Sequence, residues 1–262
     1  MTYGYMEQLR DLFAPFKEYG VAVRLLEETD STNSEAKRYC LSGGTIPALF
    51  VADGQTAGRG RMGRSFFSPA DTGIYLSFLI EAPEDSSDIL RVTSTAAVVL
   101  HKAIADELGI DAKIKWVNDL YYKGRKISGI LAESFFVDNK RYIVIGVGIN
   151  LSTQDFPQEL REKAGAIIEE CDEKKNSYIR AGLTFRVAIG LNDIVSLLSD
   201  ERVMDYYRAH SAVLGQRVTF VENGIERSGV AESVDDLGAL SVRLDDGSTH
   251  SLASGEISLK ID

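Results

Sequence analysis

The chain has 262 residues, with 29 Lys and Arg against 39 Asp and Glu, a formal net charge of −10 and 44% hydrophobic residues. That length suits one large domain or a larger and a smaller one, each able to bury a core of its own. The acidic balance excludes a general phosphate-backbone binder, which needs a basic face to gain from counterion release, so no nucleic acid is expected as a partner.

The first twenty residues carry Glu7, Arg10, Asp11, Lys17 and Glu18, which breaks any apolar core of a signal peptide. No stretch reaches membrane-spanning length. Cys40 and Cys171 are far apart and lack metal-ligand spacing, which suits a reducing compartment. A cytoplasmic protein without membrane contact is expected.

An apolar run at Val21 to Leu26 reads as a strand. Thr32-Asn33-Ser34-Glu35 then has the spacing of a capping box and starts a helix closed by Gly43-Gly44. Ala48 to Ala52 reads as a buried strand, and the glycine- and arginine-rich stretch from Asp53 to Pro69 as a long loop, a kind of segment often functional. Ile74 to Ile80 returns to strand, Ile89 to Leu108 has helical spacing and ends at Gly109, and Ala112 to Trp116 is a further buried strand. Lys123-Gly124 and Asp138-Asn139 read as turns around strands at Leu120 to Tyr122, Arg125 to Phe136 and Arg141 to Asn150. Pro157 to Ala209 reads as mainly helical, with Leu183, Val187, Ile194, Leu197 and Leu198 as its core face. After His210, short strands at Arg217 to Val221, Ser228 to Val234, Leu240 to Leu244 and Thr249 to Leu252 alternate with glycine turns, a small β module that must pack on the larger part.

Three stretches have the residue types for anion chemistry. In Gly58-Arg59-Gly60-Arg61-Met62-Gly63-Arg64 the glycines admit backbone amides to an anion, and the arginines offer forked donors that repel one another until one arrives. A solvated flexible loop is the other reading, and the Lys-Ser/Thr ending of a Walker loop is missing. Lys115-Trp116-Val117-Asn118-Asp119 and Lys126-Ile127-Ser128-Gly129 set a lysine against a carboxylate or a glycine, though each lysine alone also reads as a solvated strand end. Gly146-Val147-Gly148-Ile149-Asn150 places small residues where an apolar strand ends, which a β-bulge also explains. Asp30-Ser31-Thr32-Asn33 reads equally as helix capping.

Taken in order, Asp30-Ser31-Thr32-Asn33, Gln55-Thr56-Ala57-Gly58-Arg59-Gly60-Arg61, Lys115-Trp116-x-Asn118-Asp119, Lys126-x-x-Gly129-Ile130-Leu131-x-Glu133 and Gly146-x-Gly148-Ile149-Asn150 resemble the biotin protein ligase family, from about Val23 to the C-terminus. The resemblance implies an α+β fold. Residues 1–210 would form a class II synthetase-like catalytic domain of mixed sheet and helices, and residues 211–262 an SH3-like β-barrel. It implies ATP-dependent activation of biotin to biotinyl-5′-AMP and transfer to a lysine of a biotin carboxyl carrier protein, with Mg2+ as activator and a homodimer allowed.

On the same resemblance Ser31, Thr32, Asn33, Gln55, Arg59 and Gly60 would bind biotin together with Arg61, Lys126, Gly129, Gly146 and Gly148. Arg59, Arg61, Arg64, Phe66, Lys115, Asn118, Asp119 and Asn150 would face the nucleotide. Lys126 and Arg61 would be catalytic, and no metal ligand or general base is identified. Phe66 and Val117 stand where the family usually has tryptophan and proline, which bears on adenine-side packing and local rigidity.

Three alternatives accompany this reading. A repressor with a helix-turn-helix module is disfavoured, since thirty residues before Ser31 are too few. A lipoate ligase would share fold and chemistry, and a binding module with a lapsed site would lack the retained Arg59, Arg61, Lys115 and Lys126. The loop from Gly58 to Phe67 is expected to stay mobile until the adenylate binds.

Overall fold

A computed structural model describes residues 4–83, 89–169, 172–222 and 224–259. Strands β1 (Ala22–Thr29) and β2 (Ala48–Gln55) run parallel, Ala22 beside Ala48 and Thr29 beside Gln55, because helix α2 (Thr32–Leu41) crosses between them. Strand β3 (Gly73–Glu81) returns antiparallel. The sheet then continues through β7 (Lys140–Asn150), β6 (Arg125–Val137), β5 (Asp119–Tyr122) and β4 (Lys113–Lys115), in the order β1-β2-β3-β7-β6-β5-β4. Both tight turns read from sequence are present: Lys123 and Gly124 have φ of 49° and 75°, Asp138 and Asn139 of 47° and 63°. Two consecutive left-handed residues twist with the strands they join.

The two faces of the sheet differ. Ile74, Leu76 and Phe78 of β3 and Ile143 and Ile145 of β7 point to one side, where α1 (Tyr5–Phe13), α3 (Ile89–Leu108) and α4 (Glu173–Asn192) bury them in the main core. On the other side α2 packs Ala36 and Cys40 against Phe50, Leu79 and Val144, a much smaller cluster. Further along that face Ser77 lies beside Gly146, and Gly146 beside Leu131; Tyr75 lies beside Gly148, and Gly148 beside Gly129. Beyond the start of α2 these small residues leave a trough.

Two other helices, α5 (Ile194–Leu197) and α6 (Arg202–Ala209), complete the C-terminal part of the expected helical region. Its first part is different. Apart from one turn at Gln158–Leu160, the chain up to residue 169 is irregular: it meets the start of β6 where Lys126 N donates to Lys163 O and Gly165 N to Lys126 O, and the end of β7 where Ile167 N donates to Asn150 O. Satisfying those strands' peptide groups takes precedence over helix formation. Helix α1 was not anticipated; Met6, Leu9 and Phe13 make the buried stripe that forms it.

The last segment folds as an antiparallel sheet of β8 (Arg217–Glu222), β9 (Ile225–Val234), β10 (Leu240–Leu244), β11 (Thr249–Leu252) and β12 (Ile257–Leu259), ordered β11-β10-β9-β8-β12. The expected barrel is not closed among the described residues: β11 and β12, four and three residues long, each pair with a single neighbour. As expected, the module packs on the larger part. Phe220, Val234 and Val242 share one core with Met204 and Val213, and the buried Trp116 Nε1 donates to Gly238 O at 2.9 Å. Cys40 is buried; Cys171 and Asn223 lie outside the described residues. No helix among the described residues is long and apolar enough to cross a membrane.

Candidate active site

The trough begins at the N-terminus of α2. Ser31, not Thr32, takes the cap position, and its side chain caps nothing, so the expected capping box is absent. Thr32 and Asn33 turn onto the sheet instead. Gln55 Oε1 accepts from Thr32 N at 2.8 Å and Thr32 Oγ1 at 3.2 Å, while Gln55 Nε2 donates to Ser68 Oγ at 2.9 Å. Ser77 Oγ lies 2.8 Å from Thr32 Oγ1 and 2.6 Å from Asn33 Oδ1, and Asn33 Nδ2 donates to Leu131 O and Glu133 Oε2. This buried network fixes which way each amide faces.

The glycines on the floor have a different immediate role from the one expected. A Cβ on Gly146 would fall 2.1 Å from Asn33 Oδ1, and one on Gly148 would fall 2.6 Å from the Phe66 ring. They admit the chain's own side chains as well as any ligand. Gly146→Ala is therefore expected to destabilise the fold by about 1–3 kcal/mol, since Asn33 is tied on three sides and has nowhere to retreat. A urea midpoint within error of wild type would refute it.

The glycine- and arginine-rich loop makes hydrogen bonds within itself. An antiparallel bridge joins Arg59 and Ser65, Gly60 N donates to Arg64 O at 2.7 Å, and Phe66 N donates to Gly58 O at 2.8 Å, with Met62 and Gly63 left-handed at the tip. The Gly60 amide is thus spent inside the loop.

Nor do the arginines stand unpaired and repelling. Arg59 forks onto Glu133 at 3.0 and 2.8 Å; Arg61 donates to Asn118 Oδ1 at 2.9 Å and Gly255 O at 3.0 Å; Arg64 grips Glu256. Burial pushes the Glu133 carboxyl up, but Lys37, Asn33 and Arg59 outweigh it and hold it below its ordinary value. Burial lowers Arg61.

Past the loop the pocket opens into a groove of about 610 Å³. Lys126 lines both, with Nζ donating to Asp119 Oδ1 at 2.6 Å above Gly129. The ladder puts Asp119 opposite Gly129, which sets carboxylate and ammonium side by side. Lys115 lies over the Tyr121 ring at 5.1 Å, and burial lowers its ammonium. Asn118 faces the inner pocket, where its Nδ2 donates to Ile130 O. Asn150 lines the groove with a buried Oδ1 that has no partner.

Every residue expected at the site lines the pocket or the groove. The sequence reading missed Ser68, Ser77 and Glu256 and gave Glu133 no role. Ser77 had a signal, as the one small polar side chain between Ile74 and Ile80. His101, Asp111 and His210 cluster elsewhere, but both ring nitrogens of His101 are engaged, by Tyr206 and Ala112 O.

The site is thus a pocket of amides and hydroxyls, with Arg59, Arg61 and Lys126 also on its wall, that opens on a groove lined by both cations and carboxylates. The Biotin/lipoate A/B protein ligase family matches residues 25–150, and the Biotin protein ligase C terminal domain matches residues 213–260. The chain belongs to the biotin protein ligase family. It is 36% identical over 153 residues to the Bifunctional ligase/repressor BirA of Bacillus subtilis, covering 57% of this chain and 46% of that one, so that it spans about half the length of this relative. It is 28% identical over 246 residues to the Biotin--[acetyl-CoA-carboxylase] ligase of Mycobacterium tuberculosis, covering 89% and 87%. Among solved structures, biotin protein ligase from Aquifex aeolicus in complex with biotin and ATP superposes with a TM-score of 0.74 at 25% identity, covering 92% of this chain and 99% of that one.

Proposed function

We propose that this chain is a biotin protein ligase, which converts biotin and ATP to biotinyl-5′-AMP and passes biotin to a lysine of a biotin carboxyl carrier protein. The observation that carries the reading is the place of Lys126, where the inner pocket meets the groove. Thr32, Asn33, Gln55 and Ser31 supply the donors and acceptors a ureido ring needs. Arg59, Gly60 and Arg61 close over the carboxylate end, with Gly129, Gly146 and Gly148 as the floor, while Arg64, Phe66, Lys115, Asn118, Asp119 and Asn150 face the nucleotide.

In the first step a biotin carboxylate oxygen bonds to the α-phosphorus and the bond to the β-phosphate bridging oxygen breaks, releasing pyrophosphate. Lys126 and Arg61 hold the two anions together and stabilise charge on the nonbridging oxygens. In the second step the acceptor amine attacks the acyl carbon, loses a proton, and AMP leaves. None of the histidines His101, His210 and His250 lines the pocket or groove, so no base is assigned to that proton.

Magnesium belongs to the nucleotide substrate. Asp119 and Glu256, the carboxylates on the groove wall, are each paired with a cation, so the described residues offer no dedicated cage for it. By this reading residues 1–210 do the chemistry and residues 211–262 brace the loop.

The test is incubation of the protein with magnesium, α-labelled ATP and either biotin or lipoate. A labelled adenylate that forms only with biotin is the expected result. Adenylate only with lipoate would overturn the substrate, and none with either would overturn the enzyme.

A further inference from the structure

Of the two carboxylates on the groove wall, Asp119 and Glu256, the second comes from the C-terminal segment. Glu256 stands in the turn before β12, and both of its oxygens are taken by the Arg64 guanidinium. The preceding Gly255 carbonyl accepts from Arg61. Glu256 lines the groove beside Lys115, Asp119 and Lys126, and the charges of Arg64, Lys115 and Lys126 all hold its carboxyl below its ordinary value.

We propose that Glu256 determines nucleotide affinity by occupying, on Arg64, the seat that a nucleotide phosphate takes over. The proposal rests on the reading of the chain as an ATP-using ligase.

A forked arginine accepts a carboxylate or a phosphate in the same geometry, so the two ligands compete for one donor set. The pair is half exposed, with side-chain exposures of 61% for Arg64 and 49% for Glu256. Ion pairs of that exposure hold weakly, which makes this one exchangeable. A triphosphate brings several negative charges against the single charge of the carboxylate, and in a groove holding Lys115 and Lys126 the exchange runs toward nucleotide. When pyrophosphate forms, the carboxylate is at hand to take Arg64 back, which speeds departure of that product. The turn of the C-terminal sheet thus acts as a counter-anion for the loop, and two segments far apart in sequence are coupled through one arginine.

The test is Glu256→Gln in the full chain, which keeps the shape and removes the charge. The KM for ATP is expected to fall about fivefold and the inhibition constant of pyrophosphate by a similar factor, with the KM for biotin unchanged. In an Arg64→Ala background, where the contested donor is gone, the same substitution should leave the KM for ATP nearly where it was. Matching thermal melts establish that the variants fold. An unchanged KM for ATP overturns the proposal, and so does a raised one, which would make Glu256 a ligand of the nucleotide or its cation. ATP titrated calorimetrically without biotin separates the two levels of the argument. Heat with wild type and an equal Kd in Glu256→Gln sinks this proposal alone, whereas no heat together with no labelled adenylate from wild type sinks the ligase reading beneath it.

Discussion

Lys126→Ala is expected to slow adenylate formation about a thousandfold while biotin still binds. A preorganised charge aimed at a developing oxyanion contributes on the order of 10²–10³ in rate, and the lysine here also holds two anions together that would otherwise repel. Its preparation is visible in the strands. Asp119 sits opposite Gly129, and the Lys126 ammonium lies between them, 2.6 Å from the carboxylate. The amides and hydroxyls of the inner pocket make no contact with that ammonium, so the biotin Kd measured by calorimetry should stay within a few-fold. Supplied with ready-made biotinyl-AMP, the variant should transfer biotin to the acceptor much better than it makes the adenylate, because the charge-laden step has been bypassed. A first-step rate within tenfold of wild type, measured with α-labelled ATP, would remove Lys126 from the catalytic role.

What the sequence made legible was local. Lys123-Gly124 and Asp138-Asn139 are turns because two adjacent residues able to go left-handed suffice, and Ile89 to Leu108 is a helix because its apolar spacing and its terminal glycine agree. The residues of the ordered motifs likewise converge on one pocket and its groove. Long-range partnerships stayed hidden. Thr32 looks like a helix cap until Gln55 and Ser77 claim its hydroxyl. The loop arginines look mutually repulsive until Glu133 and Glu256, 74 and 192 residues away, neutralise two of them. The strands of the terminal module were countable, but whether its sheet closes depends on pairing between its two shortest strands, which composition does not encode.

The same distance in sequence hides a buried ion pair that joins four elements. Arg180→Met is expected to cost about 3–5 kcal/mol of stability, the range for removing one partner of a buried ion pair. Arg180, only 2% exposed, reaches from α4 with Nη1 to Asp53 Oδ1 at 2.5 Å, Nη2 to Asp53 O at 3.1 Å and Nε to Gly73 O at 2.5 Å, and its guanidinium stacks 3.7 Å from the Tyr5 ring. One side chain therefore ties α1, α4, β2 and the start of β3. Methionine would fill most of the volume but leave the Asp53 carboxylate and two carbonyls without their donor.

Chemical unfolding should show the midpoint falling with little change in slope. Combining Arg180→Met with Asp53→Asn should recover part of the loss, since the bare carboxylate is then gone. A double variant no more stable than the single one would place the cost in the carbonyl contacts instead. The network also bears on the site. Asp53 lies two residues before Gln55 on β2, and Gly73 opens the strand that carries Ser77, so loosening their anchor should misplace the two groups that hold Thr32. A raised KM for biotin in the folded fraction of Arg180→Met is the expected sign, and a loss of stability under about 1 kcal/mol would mean that packing around Tyr5 and Thr184, rather than the ion pair, holds these elements together.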